Sequence, residues 1–246
     1  MKTAIVTGGT KGIGKCIAEY LLKRGYYVFV TYAHDADAAA QAAEDFSLIS
    51  ANFHVRKVDQ SLSSDMHAFT DWIKAHCLEA SGSSTIDCII CNAGATVRKP
   101  ADQITDDEWE RTLMVGLNCH YYLVRDLWSM IPSESRIIFI GSMMAVQPHG
   151  TSLAYGVMKA AVHALAKNLV KSFEGTGTTV NVIAPGFVDT DWQKEKPQEI
   201  RDNICRKTAI HRFAEPEEIS GTVGYLLDNG FVNGAVIEVS GGYGYK

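Results

Sequence analysis

The fold is decided by the stretch Thr7-Gly8-Gly9-Thr10-Lys11-Gly12-Ile13-Gly14. It joins a short apolar run, Thr3 to Val6, to a segment with apolar residues at helical spacing, Lys15 to Arg24. Glycines at these spacings let the turn close tightly, let the backbone approach a pyrophosphate and let the helix pack on the strand. Phosphate would then meet free N–H groups at the start of the helix. A strand, a glycine turn and a helix in this order predict a dinucleotide-binding loop.

Outward from this loop, apolar strands alternate with amphipathic helices almost to the end of the chain. The predicted strands are Thr3–Val6, Tyr27–Thr31, Ala51–Val58, Asp87–Cys91, Arg136–Ile140, Thr179–Ile183 and Ala235–Val239. The predicted helices are Lys15–Arg24, Ala36–Phe46, Asp65–His76, Asp106–Met130 and Leu153–Phe173. Uninterrupted apolar strands indicate a sheet covered on both faces, and intervening helices imply parallel crossovers. We expect an α/β fold, a Rossmann-like doubly wound parallel sheet of about seven strands with helices on both faces.

Length and composition point to one domain over residues 1–246. The pattern shows no repeat, linker or compositional break, and its least regular stretch, residues 187–213, is interpreted as a mobile substrate lid within that domain. The formal net charge of −5 argues against nucleic-acid binding, which needs clustered cations. No apolar run is long enough to span a bilayer, and Gly8-Gly9 interrupts the apolar start, so neither a membrane segment nor a signal peptide is predicted. A cytoplasmic location is expected.

Cys88 and Cys91 form a C-x-x-C, a pattern that can indicate zinc or redox chemistry. No second pair of ligands completes a tetrahedral site. Both cysteines also lie inside an apolar segment that reads as a strand, Ile86 to Cys91. We interpret them as small core residues and predict no metal site.

Tyr155, Lys159 and Ser142 are the candidate catalytic residues. Tyr155 and Lys159 lie four apart on a predicted helix and therefore share one face. A free tyrosine has a pKa of about 10, and a nearby ammonium is expected to lower it. Ser142 ends a predicted strand, where its hydroxyl can donate to the same oxygen. This arrangement predicts proton transfer to a carbonyl oxygen or from an alcohol. His149, in contrast, is interpreted as a surface or packing residue.

These motifs resemble the short-chain dehydrogenase/reductase family, most closely its 3-oxoacyl-acyl-carrier-protein reductases. The glycine loop follows the family pattern T-G-x-x-x-G-I-G, and Ser142 stands thirteen residues before Tyr155, as in the family. The family sequence N-A-G follows the fourth strand as Asn92-Ala93-Gly94, and Pro185-Gly186 follows the sixth. Further implied contacts are Asp59 to adenine and Thr190 to the nicotinamide carboxamide.

The resemblance implies a complete set of site residues. The catalytic residues would be Ser142, Tyr155 and Lys159. The cofactor-binding residues would be Gly8, Thr10, Lys11, Gly12, Ile13, Gly14, Tyr32, Asp59, Asn92, Ala93, Gly94, Tyr155, Lys159, Pro185, Gly186, Val188 and Thr190. The resemblance also implies a homotetramer or homodimer.

The chain departs from the family at three places. Gly116 replaces a family asparagine whose main-chain carbonyl, at a helix kink, holds a relay water; because glycine keeps that carbonyl, Gly116→Asn is expected to preserve or modestly raise turnover and Gly116→Leu to impair it. The stretches 132–135 and 174–177 lack the arginines that dock an acidic carrier protein, which makes an acyl-carrier partner doubtful. Tyr32 stands where an NAD enzyme carries an acid, and Lys11 suits a 2′-phosphate, so NADPH is favoured over NADH.

The predicted function is NADPH-dependent reduction of a carbonyl, in a 3-oxoacyl thioester or related ketone, to a secondary alcohol, with Tyr155 as general acid. The predicted partner is therefore a small molecule. Two alternatives stay open. One is a dehydrogenase of a sugar, a polyol or another secondary alcohol. The other is a catalytically impaired dinucleotide-binding regulatory protein, which the glycine at 116 favours and the intact catalytic trio opposes.

Overall fold

Seven parallel strands form one sheet in the computed structural model of the chain, which describes residues 1–148 and 150–245. The prediction for His149 therefore lies outside the described residues. The strands are β1 (Thr3–Val6), β2 (Tyr27–Tyr32), β3 (Phe53–Lys57), β4 (Cys88–Cys91), β5 (Arg136–Ile140), β6 (Thr179–Pro185) and β7 (Val236–Val239). Their spatial order is β3-β2-β1-β4-β5-β6-β7. From β1 the strands are added outward to one side as far as β3, and from β4 they are added to the other side as far as β7. Ligands of open α/β sheets bind beyond the carboxyl ends of the strands at such a reversal of strand order, here between β1 and β4.

Helices cover both faces of this sheet. They are α1 (Gly12–Lys23), α2 (Ala36–Ser47), α3 (Ser63–Ser81), α4 (Asp106–Leu113), α5 (Cys119–Asp126), α6 (Leu153–Ser172), α7 (Asp191–Lys194), α8 (Gln198–Lys207) and α9 (Pro216–Asp228). One apolar core contains side chains of α3, α5 and α6, and the other contains side chains of α1, α2 and α9. Alternate residues of β1 serve the two cores: Ile5 packs in the first, and Ala4 and Val6 pack in the second. The predicted doubly wound fold is confirmed.

The predicted strand ends lie within two residues of the observed ends, but the predicted helices are incomplete. Helix α9 was not predicted, although its sequence carries a start signal: Glu215 and Glu218 form a capping box around Pro216. Helices α7 and α8 lie inside the stretch 187–213, which was expected to be irregular. Helix α8 is strongly polar and buries Ile204, so it lacks the apolar stripe that identifies a helix in sequence.

The long helix predicted over Asp106–Met130 is interrupted at its centre. Helix α4 ends at Leu113, a π-helical turn spans Met114–Asn118, and α5 begins at Cys119. Such turns insert an extra residue into the helix and are frequent at functional sites. Gly116 lies in the middle of this turn.

Cys88 and Cys91 are buried in β4, as predicted, with exposed fractions of 1% and 0%. Burial raises the pKa of the Cys88 thiol to about 12, so the thiol stays protonated and unreactive at neutral pH. Within residues 1–148 and 150–245, none of the helices is long and apolar enough to cross a membrane.

Candidate active site

The glycine loop places an uncapped helix terminus at the carboxyl end of β1. The residue before α1, Lys11, makes no side-chain capping hydrogen bond to any described residue, and the first turn of α1 contains no acid. The backbone N–H groups of that turn are therefore available to an anion. The absence of a side chain at Gly14 lets the start of α1 lie close to Asn92, because a Cβ there would lie 2.5 Å from the side-chain nitrogen of Asn92.

Asn92 and Thr7 tie the end of β4 to the end of β1. The Asn92 side-chain amide donates to the carbonyl oxygens of Thr7 and Gly8 at 2.9 and 3.0 Å. In return, the Thr7 hydroxyl accepts from the backbone N–H groups of Asn92 and Ala93 at 3.0 and 3.1 Å. The N-A-G motif thus fixes the two strands on either side of the sheet's reversal point and holds the glycine loop in place.

A cleft of about 470 Å³ opens at these strand ends. All the predicted cofactor residues line it except Thr10, which is buried at 7% exposure and lies outside the lining. Sequence reasoning missed further lining residues, several of which lie at or just after strand ends: Thr31, Ala33, His34, Val58, Gln60, Ala95, Arg111, Val115, Ile140, Gly141, Asp191, Trp192 and Gln193. Since the open helix terminus and Tyr155 both border the cleft, its residues fit an elongated ligand with phosphate groups at the glycine loop.

Lys11 has a carboxylate partner that the sequence did not reveal. It forms an ion pair with Asp35, and the two side chains are 53% and 47% exposed. Asp35 also caps α2 by accepting from the backbone N–H of Ala38 at 2.9 Å, and the hydrogen bond from Lys11 lowers the pKa of this carboxyl. An acid is thus present three residues after Tyr32, and a phosphate would have to replace it as the partner of Lys11.

Lys159 is buried beneath the cleft. It projects from α6, is 3% exposed, and donates through Nζ to the carbonyl oxygen of Ile140 at 2.5 Å. Burial lowers the pKa of Lys159 to about 8. Its Nζ lies 5.6 Å from the centre of the Tyr155 ring. The predicted proximity of these two side chains is therefore present.

The expected lowering of the Tyr155 pKa by Lys159 is wrong for this state of the protein. Burial is the largest influence and raises the pKa of Tyr155, while hydrogen bonding with Ser142 and the charge of Arg98 lower it less. Lys159 instead directs its ammonium to the Ile140 carbonyl. Tyr155 therefore carries its proton at neutral pH, which is the state required of a proton donor.

Ser142 follows β5 and begins a short 3₁₀ turn, Met143–Ala145. Its hydroxyl oxygen accepts from the backbone N–H of Met144 at 3.1 Å. A hydroxyl has one hydrogen to donate and two acceptor positions, so this contact leaves the Ser142 hydrogen available to Tyr155, with which Ser142 is hydrogen-bonded, or to a substrate oxygen that takes its place. Ser142 and Tyr155 line the same part of the site.

At Gly116 a methionine fills the space that a side chain would occupy. A Cβ at this position would lie 2.5 Å from Sδ and 2.6 Å from Cε of Met158, which directly precedes Lys159 and is fully buried. Asparagine at 116 would therefore require the end of the Met158 side chain to move, and the effect of Gly116→Asn on turnover stays a prediction. The departure at 116 is matched by a large residue at 158 rather than by a void.

His120, one turn after Gly116, adds a buried polar group behind Lys159. Neither of its ring nitrogens has a hydrogen-bond partner at proper geometry within the described part of the chain, and its exposure is 0%. Burial and the charge of Lys159 lower the pKa of His120 to about 3, against a smaller raising effect of the Gly116 carbonyl. The ring is therefore neutral at physiological pH.

Comparison with known proteins gives one consistent result. Residues 2–201 match the family model described as short chain dehydrogenase. The chain is similar to 2-dehydro-3-deoxy-D-gluconate 5-dehydrogenase of Pseudoalteromonas atlantica, at 31% identity over 98% of this chain and 95% of that protein. It is equally similar, at 31% identity over 98% and 96%, to 3-oxoacyl-acyl-carrier-protein reductase FabG of Pseudomonas aeruginosa.

The fold is also found among solved structures. The angucycline C-6 ketoreductase LanV with bound NADP superposes with a TM-score of 0.93 and 28% identity, covering 100% of this chain and 96% of that chain.

The contact between positions 116 and 158 predicts a specific energetic coupling. We expect Gly116→Asn to lower the free energy of unfolding by about 1–3 kcal/mol through overpacking. Met158→Ala alone should cost about 2–5 kcal/mol through the cavity it leaves. The double variant should lose less than the sum, with a coupling of about 1 kcal/mol or more, as measured by urea unfolding.

Gly221 in α9 supplies the matched control, because a Cβ there meets nothing within 4 Å among the described residues. Gly221→Ala should combine additively with Met158→Ala. If the losses in free energy of unfolding for Gly116→Asn and Met158→Ala are also additive, that result would contradict the contact between position 116 and Met158.

Proposed function

The chain belongs to the short-chain dehydrogenase family, and on that premise we propose that it catalyses NADPH-dependent reduction of a carbonyl to a secondary alcohol. Family membership makes it an NAD(P)-dependent oxidoreductase acting on CH–OH or carbonyl groups. The direction of the reaction, the preference for NADPH and the nature of the substrate are the proposed part.

One observation carries the proposal: Tyr155, protonated and partly buried, borders the cleft beside Ser142, whose hydroxyl keeps a hydrogen to donate. A nicotinamide dinucleotide, when bound, supplies the hydride. The α1 terminus and the glycine loop would bind its phosphates, and Pro185, Gly186 and Thr190 would border its nicotinamide end. Together these residues orient the reacting groups and exclude water from them.

The chain's own residues supply the proton. As negative charge develops on the substrate oxygen, Ser142 donates a hydrogen bond to it and Tyr155 transfers its phenolic proton. The buried Lys159 ammonium stabilises the resulting phenolate. Its hydrogen bond to the Ile140 carbonyl keeps the amine at this depth. Tyr155 thus acts as the general acid, and Lys159 keeps the site electropositive.

A second candidate function uses the same residues in reverse. The similarity to a 2-dehydro-3-deoxy-D-gluconate 5-dehydrogenase favours oxidation of a sugar-derived secondary alcohol or reduction of its ketone. The impaired regulatory alternative stays open, favoured by the glycine at 116 and opposed by the intact set of Ser142, Tyr155 and Lys159. A turnover screen of ketones, sugar acids and 3-oxoacyl thioesters with both cofactors separates the three functions.

We further propose a homotetramer or homodimer, a cytoplasmic location and a substrate lid over residues 187–213. Exposed apolar side chains beside the β7 edge support self-association: Phe231 is 98% exposed and Tyr225 is 50% exposed. Six free cysteines support a reducing compartment. Lid residues Val188 and Trp192 border the cleft, which supports a role for this segment in covering substrate.

Replacing Tyr155 with Phe tests the general acid. The change removes the transferable proton and keeps the ring, so we expect turnover to fall roughly 10²-fold or more. The affinity for NADPH, measured by fluorescence titration, should change little. Near-wild-type turnover would show that another group donates the proton.

The pH dependence tests Lys159. With the cofactor as the varied substrate, kcat/KM reports groups of the free protein. We expect it to be level on the acid side of the Lys159 pKa of about 8 and to fall as pH rises through that value, because the ammonium is lost. Tyr155 stays protonated there, since burial raises its pKa. Lys159→Arg should move the fall to higher pH; an unmoved fall would assign it to a different group.

Cofactor preference tests whether a 2′-phosphate replaces Asp35 as the partner of Lys11. At equal ionic strength we expect tighter binding of NADPH than of NADH, with Lys11→Ala weakening NADPH roughly tenfold and NADH little. Asp35→Asn should tighten NADPH, since it frees Lys11 and asparagine still caps α2. Lys15→Ala is the control, because Lys15 pairs with Asp45 outside the cleft lining. Equal affinities, or tighter NADH, would refute NADPH preference.

A further inference from the structure

A small second cavity, of about 60 Å³, adjoins the reacting end of the cleft. Ser142 and Tyr155 line it, and so do Met143, Phe187, Trp192 and one cation, Arg98. Arg98 lies in the loop after β4, outside every motif identified in the sequence. Burial raises the pKa of Tyr155, and the charge of Arg98 opposes part of that rise. A guanidinium therefore faces the space where the substrate carbonyl must lie.

Arg98 has no counter-charge in the part of the chain that the structure describes. It makes no ion pair there, and its guanidinium carbon lies 5.9 Å from the centre of the Trp192 ring. Two other cations, Lys99 and Lys194, do form ion pairs. Lys99, the next residue, pairs with Glu108 at 2.6 Å, and Lys194 pairs with Asp191 at 3.4 Å. Arg98 therefore lines the cavity without an ion-pair partner among the described residues.

Lys196 is a second cation without an ion-pair partner among the described residues. It has no carboxylate within ion-pair distance among residues 1–148 and 150–245, and it follows the short helix that carries Trp192. Partial burial and the positive charge of Arg98 lower the pKa of Lys196. Two cations that repel each other without an intervening carboxylate, in a chain of net charge −5, form a site prepared for an external anion.

The size of the cavity indicates which anion fits. Arg98 and Tyr155 line the same 60 Å³ space, so the anionic group and the reacting carbonyl must be only a few atoms apart in one small molecule. The planar fork of an arginine binds a carboxylate through two parallel hydrogen bonds. The phosphate of a pantetheine arm, by contrast, is separated from its thioester carbonyl by a long chain and would lie outside this cavity.

We propose that the substrate is a small carbonyl compound bearing a carboxylate, and that Arg98 binds this carboxylate and selects the substrate, with the charge of the neighbouring Lys196 supporting it. This inference rests on the proposed reductase function and names its substrate class. The interaction also orients the molecule, because it fixes one end while Ser142 and Tyr155 engage the carbonyl oxygen at the other.

Matched pairs of acids and esters test the selection. For 3-oxobutanoate and 4-oxopentanoate, each compared with its methyl ester, we expect the wild-type kcat/KM to favour at least one acid by roughly tenfold or more. Arg98→Met should lower the kcat/KM for that acid roughly 10- to 100-fold, the scale of a charge-assisted hydrogen bond, and leave its ester nearly unchanged. Arg98→Lys should recover part of the loss. Lys99→Met is the control and should leave the acid-to-ester ratio unaltered.

A binding measurement separates failure of this inference from failure of the reductase function. Succinate should raise the Tm of the complex with NADP⁺ in the wild type, should do so less in Arg98→Met, and should have the full effect in Lys99→Met. If the esters are reduced with the same kcat/KM as the acids, the carboxylate site is wrong and the reductase function stands. If succinate binds through Arg98 but no carbonyl compound turns over, the anion site stands and the reductase function is wrong. If neither occurs, both are wrong.

A third comparison distinguishes carboxylate from phosphate. The coenzyme A and N-acetylcysteamine thioesters of 3-oxobutanoate carry the same carbonyl, and only the first carries phosphates. Similar kcat/KM values for the two, unaffected by Arg98→Met, are expected. A strong preference for the coenzyme A thioester that disappears in Arg98→Met would assign the cation to phosphate and overturn the carboxylate proposal.

Discussion

The hydrogen bonds between Asn92 and the end of β1 are the constraint on which the site depends. They join β1 and β4, the neighbouring strands at which the strand order of the sheet reverses. The glycine loop leaves β1 between these two strands. A side chain at Gly14 would collide with the same amide, so the brace and the loop can form only together. The open terminus of α1 is consequently held at a fixed distance from β5, from which Ser142 follows.

The chemistry at the other end depends on a charged amine in an apolar interior. Lys159 is buried with a single backbone carbonyl as its hydrogen-bond acceptor, and burial moves its pKa close to physiological pH. Burial, together with the charge of Lys159, lowers the pKa of the nearby His120 and keeps its ring neutral. An amine in this position is costly to fold around, and its field is correspondingly strong at the substrate oxygen, where negative charge appears during the reaction. Residues that contribute little to stability thus set the electrostatics of the site.

The sequence predicted the sheet and the closeness of Tyr155 to Lys159 well, because both are encoded locally. Buried parallel strands are continuous apolar runs, and Tyr155 and Lys159 are neighbours on one helix face. What it could not reveal are contacts between distant segments: the pairing of Lys11 with Asp35, the packing of Met158 into the space beside Gly116, and the approach of Arg98 to Tyr155. The π-helical turn was also hidden, since its cause lies in packing rather than in residue type. Helix α9 is different, because its capping box was present in the sequence.

The contact between Gly116 and Met158 restricts the order in which the chain can change. A mutational path from this pair to asparagine at 116 with a small residue at 158 must pass through one of two intermediates. The first is overpacked and the second contains a cavity, and both are less stable than either end point. Whether a lineage can cross depends on the margin of stability held elsewhere in the fold, not on the reaction. The two positions are therefore expected to be epistatic.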